Sequence, residues 1–201
     1  MKYQALLLTG PTGCGKTPLG NYFEEHGFCG RSCAHFDFGA QLRDIAARGH
    51  TRIPAADRSF IREVLTSGAL LEQDRLPLAE TIFRCFISDN RVTDDRLLIL
   101  NGFPRHIDQA RFMENLVAVR QVIYLCGSAE VICRRIAGNT GGDRADRDDD
   151  APAAIKKKIT IFNQRTLPLL DYYRHHGVEV NRYQVTEASS PGEISAFLSL
   201  T

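Results

Sequence analysis

A lysine and a threonine follow three glycines directly after an apolar run near the start of the sequence. The segment Gly10–Thr17 has the pattern G-x-x-x-x-G-K-[ST], and the preceding residues Ala5–Leu8 are apolar. Glycines let successive backbone N–H groups turn inward around a phosphate, and the positive end of a following helix favours the same anion. Lys16 adds a positive charge, and the Thr17 hydroxyl is a ligand for Mg²⁺, directly or through water. The pattern predicts a phosphate-binding loop (P-loop) for a nucleoside triphosphate.

A second polar group follows a later apolar run. The segment 101–110 reads NGFPRHIDQA, so that Arg105 comes after a Gly-Phe-Pro turn. Upstream, Arg43 lies one turn into a predicted helix that opens at Gly39 in HFDFGAQLR. Arginine grips a phosphate through two parallel hydrogen bonds. Because neighbouring parallel strands end at one edge of a sheet, Arg105 is predicted at the mouth of the phosphate site.

Apolar runs alternate with helical patterns along the chain. The predicted strands are 3–9, 34–36, 96–102, 121–127 and 177–185. The predicted helices are 16–26, 39–48, 57–67, 74–88, 107–117, 129–137, 153–176 and 194–200. Continuous apolar strands in such an alternation predict a parallel sheet covered by helices on both faces. The fold class is therefore α/β, a P-loop NTPase-type three-layer α/β/α sandwich with a five-stranded parallel sheet.

Composition excludes several classes of partner. The chain has 201 residues, a net charge of +1, and no apolar run that approaches a membrane span. This predicts one domain without a general attraction for nucleic acid or membrane. The six cysteines form no CxxC pair, so they are predicted to be free, mostly buried thiols in a cytoplasmic protein.

With both motifs in place, the chain resembles the adenylate kinase family of nucleoside monophosphate kinases. The likeness is collinear over nearly the whole sequence. It includes the P-loop, HFDFGAQLR, SGALLEQDRL, LILNGFPRHIDQA, VICRRIAGN, DRDDDAPAAIKKK and VTEASSP. It implies a single kinase domain, 1–201, with a core formed by 1–37, 92–137 and 151–201. A helical lobe for the monophosphate would span about 38–91, and a short lid about 138–150.

The resemblance also implies roles for individual residues. ATP would be bound by Gly10, Thr12, Gly13, Cys14, Gly15, Lys16, Thr17, Arg135 and Ser190. The monophosphate would be bound by Phe38, Gly39, Arg43, Leu71, Gly102, Arg105 and Gln109. Phosphoryl transfer would depend on Lys16, Arg43, Arg105, Arg147 and Lys158, with Mg²⁺ near Thr17 as the cofactor. Charge neutralisation and water exclusion would carry the reaction, without a general base.

Several residues depart from the family's pattern. Asn101 stands where an aspartate normally orders the water shell of Mg²⁺, and Asn139 stands where an arginine reaches the phosphates. Lys158 replaces an arginine, and Phe38 replaces a small or hydroxyl residue beside the acceptor base. Arg144 is an additional lid arginine that we expect to compensate for Asn139.

The charged segment 148–150 allows two interpretations. Three consecutive aspartates could bind a metal, but acidic residues before a helix that starts near Pro152 are better explained as its cap. The lid contains no cysteine, which excludes the longer zinc-bearing type. His175 and His176, at the end of the long predicted helix, are interpreted as structural.

Gln109 favours AMP as the acceptor, because relatives that act on UMP or CMP tend to carry asparagine there. The alternatives are a UMP or CMP kinase, a P-loop kinase of another metabolite, and a nucleotide-binding module with little turnover. The GFPR and DFGAQLR segments argue against the metabolite kinase, whereas Asn101 and Asn139 support the binding module. A monomer is expected.

Overall fold

The computed structural model describes residues 2–143 and 152–200. Within these ranges the chain forms one parallel sheet in the strand order β2-β3-β1-β4-β5. The strands are β1 (Tyr3–Thr9), β2 (Cys33–Asp37), β3 (Leu97–Asn101), β4 (Val117–Cys126) and β5 (Glu179–Gln184). The predicted five-stranded, three-layer α/β architecture is confirmed.

Alternate residues of the central strand pack on opposite faces of the sheet, as the strand period requires. Ala5 and Leu7 belong to one apolar cluster, and Leu6 and Leu8 belong to the other. Helices cover both faces. They are α1 (Lys16–His26), α2 (Phe38–Arg48), α3 (Ala55–Ser67), α4 (Leu76–Asp89), α5 (Ile107–Met113), α6 (Ala129–Ala137), α7 (Pro152–Ile161), α8 (Pro168–His175) and α9 (Pro191–Leu198).

The register brings three chain segments to one edge of the sheet. Asp37 at the end of β2 pairs with Asn101 at the end of β3, and Asn101 in turn pairs with Leu8 of β1. Parallel strands present their carboxyl ends together, and ligands of such sheets bind there. The P-loop, which follows β1, therefore lies beside Asp37 and Asn101.

The boundary between α5 and β4 corrects a sequence prediction. The helix predicted to run to residue 117 ends at Met113, and β4 begins at Val117 rather than at residue 121. Val117–Val119 pair with Tyr3–Ala5 of β1. The hydrogen bonds of this ladder prevail over the helical spacing of the local sequence.

The long helix predicted for 153–176 is interrupted. Phe162–Thr166 form a π-helical turn, in which the Leu167 N–H donates to the Phe162 carbonyl at 2.8 Å. Pro168 has no N–H for the α-helical ladder, and its ring would press on the carbonyl four residues earlier. The wider turn accommodates this proline, and α8 begins at it.

Candidate active site

The P-loop turns tightly between β1 and α1 because glycines occupy its constrained positions. Gly15 has φ 95°, and a side chain at Gly10 would place its Cβ 2.2 Å from the Leu125 carbonyl oxygen. Only glycine fits this close approach to β4. The loop therefore lies directly on the neighbouring strand, at the amino end of α1.

Lys16 folds back over the loop. Its Nζ donates to the Gly10 carbonyl at 2.7 Å and to the Pro11 carbonyl at 2.8 Å. An ammonium group has three donors and no acceptor, so these bonds fix its position above the loop. The positive charge and the helix dipole act on the same space.

Arg135 of α6 ties the loop to the segment before α9. It is buried, and its Nη1 donates to the carbonyls of Thr186, Glu187 and Ser189 at 2.7, 3.1 and 3.1 Å. Its Nε donates to the Gly13 carbonyl at 3.3 Å. These hydrogen-bond partners of Arg135, all within the described ranges, are backbone carbonyl oxygens. We call residues 10–17 together with Arg135 the P-loop half of the cleft.

Thr17, Asp37 and Asn101 form a hydrogen-bonded triangle at the end of the strands. The Thr17 hydroxyl donates to Asp37 Oδ2 at 2.6 Å. Asn101 Nδ2 donates to the same carboxylate oxygen at 2.8 Å and to Thr17 Oγ1 at 3.0 Å. The other carboxylate oxygen, Oδ1, accepts the Ala40 N–H at 2.9 Å and caps α2.

A buried histidine lies behind this triangle. His35 Nε2 is 3.4 Å from Asn101 Nδ2, and His35 Nδ1 is 2.9 Å from the Asn21 side-chain oxygen. These partners suit a neutral ring with its proton on Nδ1. Burial lowers the pKa of His35 below its ordinary value, against the opposing effects of Asp37 and Glu24.

Two arginines face the other part of the cleft. Arg43 from α2 and Arg105 from the β3–α5 turn both line it. Within the described residues, neither guanidinium has a carboxylate partner. Burial without a counter-charge lowers the pKa of Arg105 to about 10, so it stays protonated at neutral pH. Two cations without anionic partners make a site for a ligand with negative charge.

Gln109 is held at the base of this region. Its Oε1 accepts the Arg105 N–H at 2.7 Å, and its Nε2 donates to the Leu71 carbonyl at 2.9 Å. His106 also contacts the Leu71 carbonyl, at 3.1 Å. An amide has two N–H donors and two acceptor lone pairs, so one of each is not used by these bonds.

Phe38 forms an apolar wall beside these polar groups. It is buried, and its ring centroid lies 4.9 Å from that of Phe103. We call the cleft surface formed by residues between 38 and 71 and between 102 and 109 the lobe half. It joins two arginines and an amide to an aromatic surface, which suits a planar, anionic ligand.

The two halves meet in one cleft of about 210 Å³. Most residues predicted for the site line it: Gly10, Thr12, Gly13, Gly15, Lys16, Thr17, Phe38, Gly39, Arg43, Leu71, Gly102, Arg105, Gln109, Arg135 and Lys158. Their individual roles remain predictions.

Two predicted residues lie off the cleft surface. The Cys14 thiol is buried and donates to the Pro11 carbonyl at 2.9 Å. The Ser190 hydroxyl accepts the Glu193 N–H at 3.3 Å and caps α9. The Cys14 side chain thus supports the backbone of the P-loop, whereas that of Ser190 supports the start of α9. Arg144, Arg147 and the aspartates 148–150 fall outside the described residues.

Two acidic residues that the sequence motifs do not single out, Asp37 and Asp143, line the cleft. Asp37 stands within HFDFGAQLR, directly after the predicted strand 34–36. The end of a strand is the only signal for Asp37 in the sequence, because strand ends carry the site in this fold class. That β2 lies beside β3 is evident only from the sheet order.

Residues 2–143 and 152–200 contain no cluster of His, Cys, Asp or Glu suited to holding a metal by itself. No helix in the same ranges has the length and apolar character needed to cross a membrane. All six cysteines lie within the described ranges, and none of them is in a disulfide. As predicted, most are buried; Cys29 and Cys133 are exposed.

The chain is similar to curated proteins named adenylate kinase. Adenylate kinase from Encephalitozoon cuniculi is 26% identical over 194 residues, which is 96% of this chain and 95% of that protein. Adenylate kinase from Stenotrophomonas maltophilia is 28% identical over 180 residues, 86% of each chain. Adenylate kinase from Chloroherpeton thalassium is 28% identical over 86% of this chain and 87% of its own length. No protein-family model matches the sequence.

Proposed function

Since the chain belongs to the adenylate kinase family and is a nucleoside monophosphate kinase, we propose that it transfers the γ-phosphoryl group of Mg·ATP to AMP. The observation that carries this proposal is the pair Arg43 and Arg105. Both line the same cleft as the P-loop, and neither has a carboxylate partner among the described residues. A second phosphate, besides those at the P-loop, satisfies these two cations.

Lys16 and the P-loop amides suit the phosphates of ATP. In the chain alone, Lys16 bonds to the loop's own carbonyls, which keeps the loop in shape before the nucleotide arrives. Phosphoryl transfer needs positioning and neutralisation of charge more than covalent chemistry. Lys16, Arg43 and Arg105 supply positive charge from both sides of the cleft.

The residues near the P-loop fit Mg²⁺. The Thr17 hydroxyl and the Asp37 carboxylate are oxygen ligands of the hard type that this ion prefers, and they lie 2.6 Å apart. When bound with ATP, Mg²⁺ would neutralise phosphate charge. Thr17 would hold it directly or through water.

Gln109 supports adenine as the acceptor base. Its unused N–H and lone pair can bond together to an adenine edge. Phe38 adds an aromatic surface at the same end of the cleft. Leu71 fixes the amide through its carbonyl, at 2.9 Å. We therefore assign AMP ahead of UMP or CMP.

We also propose that the protein acts as a monomer in nucleotide metabolism of the cytoplasm. The unpaired cysteines fit a reducing compartment. Residues 138–150 are proposed as the lid that excludes water, with Arg147 brought toward the phosphates as it closes.

Turnover of Mg·ATP with AMP, UMP, CMP, GMP and their deoxy forms tests the proposal. We expect ADP formation to be fastest with AMP. Gln109→Met should raise KM for AMP without changing KM for ATP, whereas Gln73→Ala, at an exposed glutamine, should change neither. Preference for another monophosphate would replace AMP as the substrate. ATP binding without transfer to any of them would favour the nucleotide-binding module.

A further inference from the structure

The strand next to the P-loop strand ends in an amide. P-loop enzymes hold Mg²⁺ between the P-loop Ser or Thr and a carboxylate from a neighbouring strand. In this chain β3, which pairs directly with β1, ends at Asn101. An amide brings no negative charge, so position 101 does not supply the carboxylate that usually binds Mg²⁺ together with the P-loop hydroxyl.

A carboxylate reaches the same place from one strand farther out. Asp37 ends β2, pairs with Asn101 in the register, and places Oδ2 2.6 Å from the Thr17 hydroxyl. Its other oxygen is held by the Ala40 N–H. The carboxylate is therefore anchored at Oδ1 while Oδ2 faces the P-loop threonine.

Asn101 orients this carboxylate. Its Nδ2 lies near three acceptors, namely Thr17 Oγ1, Asp37 Oδ2 and His35 Nε2, at 3.0, 2.8 and 3.4 Å. The reversed amide would direct its oxygen at the carboxylate and lose the bond. Asn101 thus acts as a donor to Asp37.

The Asp37 carboxylate accepts three hydrogen bonds but has no cationic partner among the described residues. The residue is only 9% exposed, and no lysine or arginine of the described ranges forms an ion pair with it. Phosphates at the P-loop would add like charge beside it, and like charges repel strongly where water is excluded. A divalent cation between them removes this repulsion.

We propose that Asp37 has taken over from position 101 as the carboxylate that holds Mg²⁺ with the donor nucleotide. The metal-binding charge has moved from β3 to β2, and Asn101 has become the residue that positions it. This inference rests on the proposed use of Mg·ATP, but it makes no assumption about the acceptor.

Titration calorimetry of ATP binding, in Mg²⁺ and in EDTA, tests Asp37 directly. Asp37→Asn keeps a good helix cap while it removes the charge. We expect the ratio of ATP affinity in Mg²⁺ to that in EDTA to be about tenfold or more lower in this variant than in the unaltered chain. Affinity for metal-free ATP should stay equal or rise, because a repelling carboxylate is gone. The spectrum of Mn²⁺·ATP bound to the protein, followed by electron paramagnetic resonance, should change as well.

Asp44→Asn is the matched control, because it removes one exposed carboxylate from the same helix, α2. It should behave as the unaltered chain. An unchanged Mg²⁺ effect in Asp37→Asn would overturn the inference, as would equal weakening in both buffers, which indicates structural damage. The inference would also be overturned if the unaltered chain bound ATP equally well in Mg²⁺ and in EDTA.

The exchange variant Asp37→Asn/Asn101→Asp moves the carboxylate to β3. We expect it to recover most of the Mg²⁺ effect that Asp37→Asn loses. No recovery, with an unchanged thermal midpoint, would contradict the proposal that charge at this edge is what the metal requires. Because none of these measurements uses AMP, failure of the proposed acceptor leaves their outcome readable.

Discussion

The two halves of the cleft use their arginines in opposite ways. In the P-loop half, Arg135 gives its recorded hydrogen bonds to four backbone carbonyls. In the lobe half, Arg105 is held without a carboxylate partner among the described residues, and burial lowers its pKa to about 10. Arg135 is bonded within the fold, whereas we propose that Arg105 is kept available for a ligand at some loss of stability.

The two arginines therefore illustrate two tasks: Arg135 holds the P-loop in its binding conformation, and Arg105 is proposed to bind the ligand itself. The carbonyls around Arg135 fix the P-loop before nucleotide arrives, so little reordering is needed there. Under the proposed function, the buried charge of Arg105 gains a counter-charge when a phosphate binds. Substitutions in the two halves should therefore change stability and activity in different combinations.

The largest expected effect is at Arg105. Arg105→Met should lower kcat/KM for AMP by roughly 10²–10³-fold, because the charge that we propose holds the phosphate of AMP in place is lost. The unliganded protein should become more stable by roughly 1 kcal/mol, since an uncompensated cation is removed. Steady-state kinetics and urea unfolding measure the two changes.

Arg111→Met, at an exposed position of α5, provides the control for Arg105 and should alter neither quantity. If Arg105→Met instead lost stability, the guanidinium would have a structural role and the contrast with Arg135 would disappear.

Arg135 should show the opposite combination. Arg135→Met leaves several carbonyls near the P-loop without their donor, and the free energy of unfolding should fall by roughly 3 kcal/mol. KM for ATP should rise, and KM for AMP should change little. Urea unfolding and initial rates give both results. Stability equal to that of the unaltered chain would show that water replaces the guanidinium, so that Arg135 does not fix the loop.

A smaller effect is expected at Gly20 in α1, which packs against His35. A Cβ at Gly20 would lie 2.2 Å from His35 Nε2. Gly20→Ala should therefore lower the free energy of unfolding by roughly 1–3 kcal/mol, although alanine is ordinarily the better helix former.

Gly192→Ala in α9 is the matched control for Gly20, because the nearest atom to its Cβ would be 3.7 Å away. Thermal unfolding should show a gain or no change there. A gain in both variants would mean that the imidazole moves aside, and that its position behind Asn101 is not tightly held.

Much of this architecture could be predicted from the sequence, because local patterns and global fold agree there. The bounds of α1 follow from the P-loop glycines before it and Gly27 after it, and buried runs mark β1 and β3. Elements set by long-range pairing were less predictable. β4 extends to Val117 only because β1 is available as its partner.

The site divides in the same way. Lys16 and Arg105 stand in motifs whose spacing carries the chemistry, so they could be named in advance. Asp37 could not, because its contact with Thr17 depends on the register that brings β2 alongside β3. A sequence indicates which residue ends a strand, but strand order decides which side chain reaches the P-loop threonine.

The smallest expected effect is a pH dependence that arises at His35, behind the triangle of Thr17, Asp37 and Asn101. Burial lowers the pKa of His35 from its ordinary value of 6.5, so the unfolded chain binds a proton at a pH where the folded protein does not. Above about pH 6.5 the ring is neutral in both states, and His35 does not reduce the free energy of unfolding. As the pH falls below 6.5, the free energy of unfolding decreases by at most about 1.4 kcal/mol per pH unit. His35→Asn, which keeps a donor for Asn21, should reduce this slope in urea unfolding at a series of pH values. The same slope in both proteins would assign the pH dependence of unfolding to other groups.

The same protonation should also affect nucleotide binding, because a protonated His35 Nε2 would face the Asn101 N–H groups. We therefore expect acid to weaken Mg·ATP binding before it affects the lobe half. There, Arg105 keeps its proton throughout this pH range.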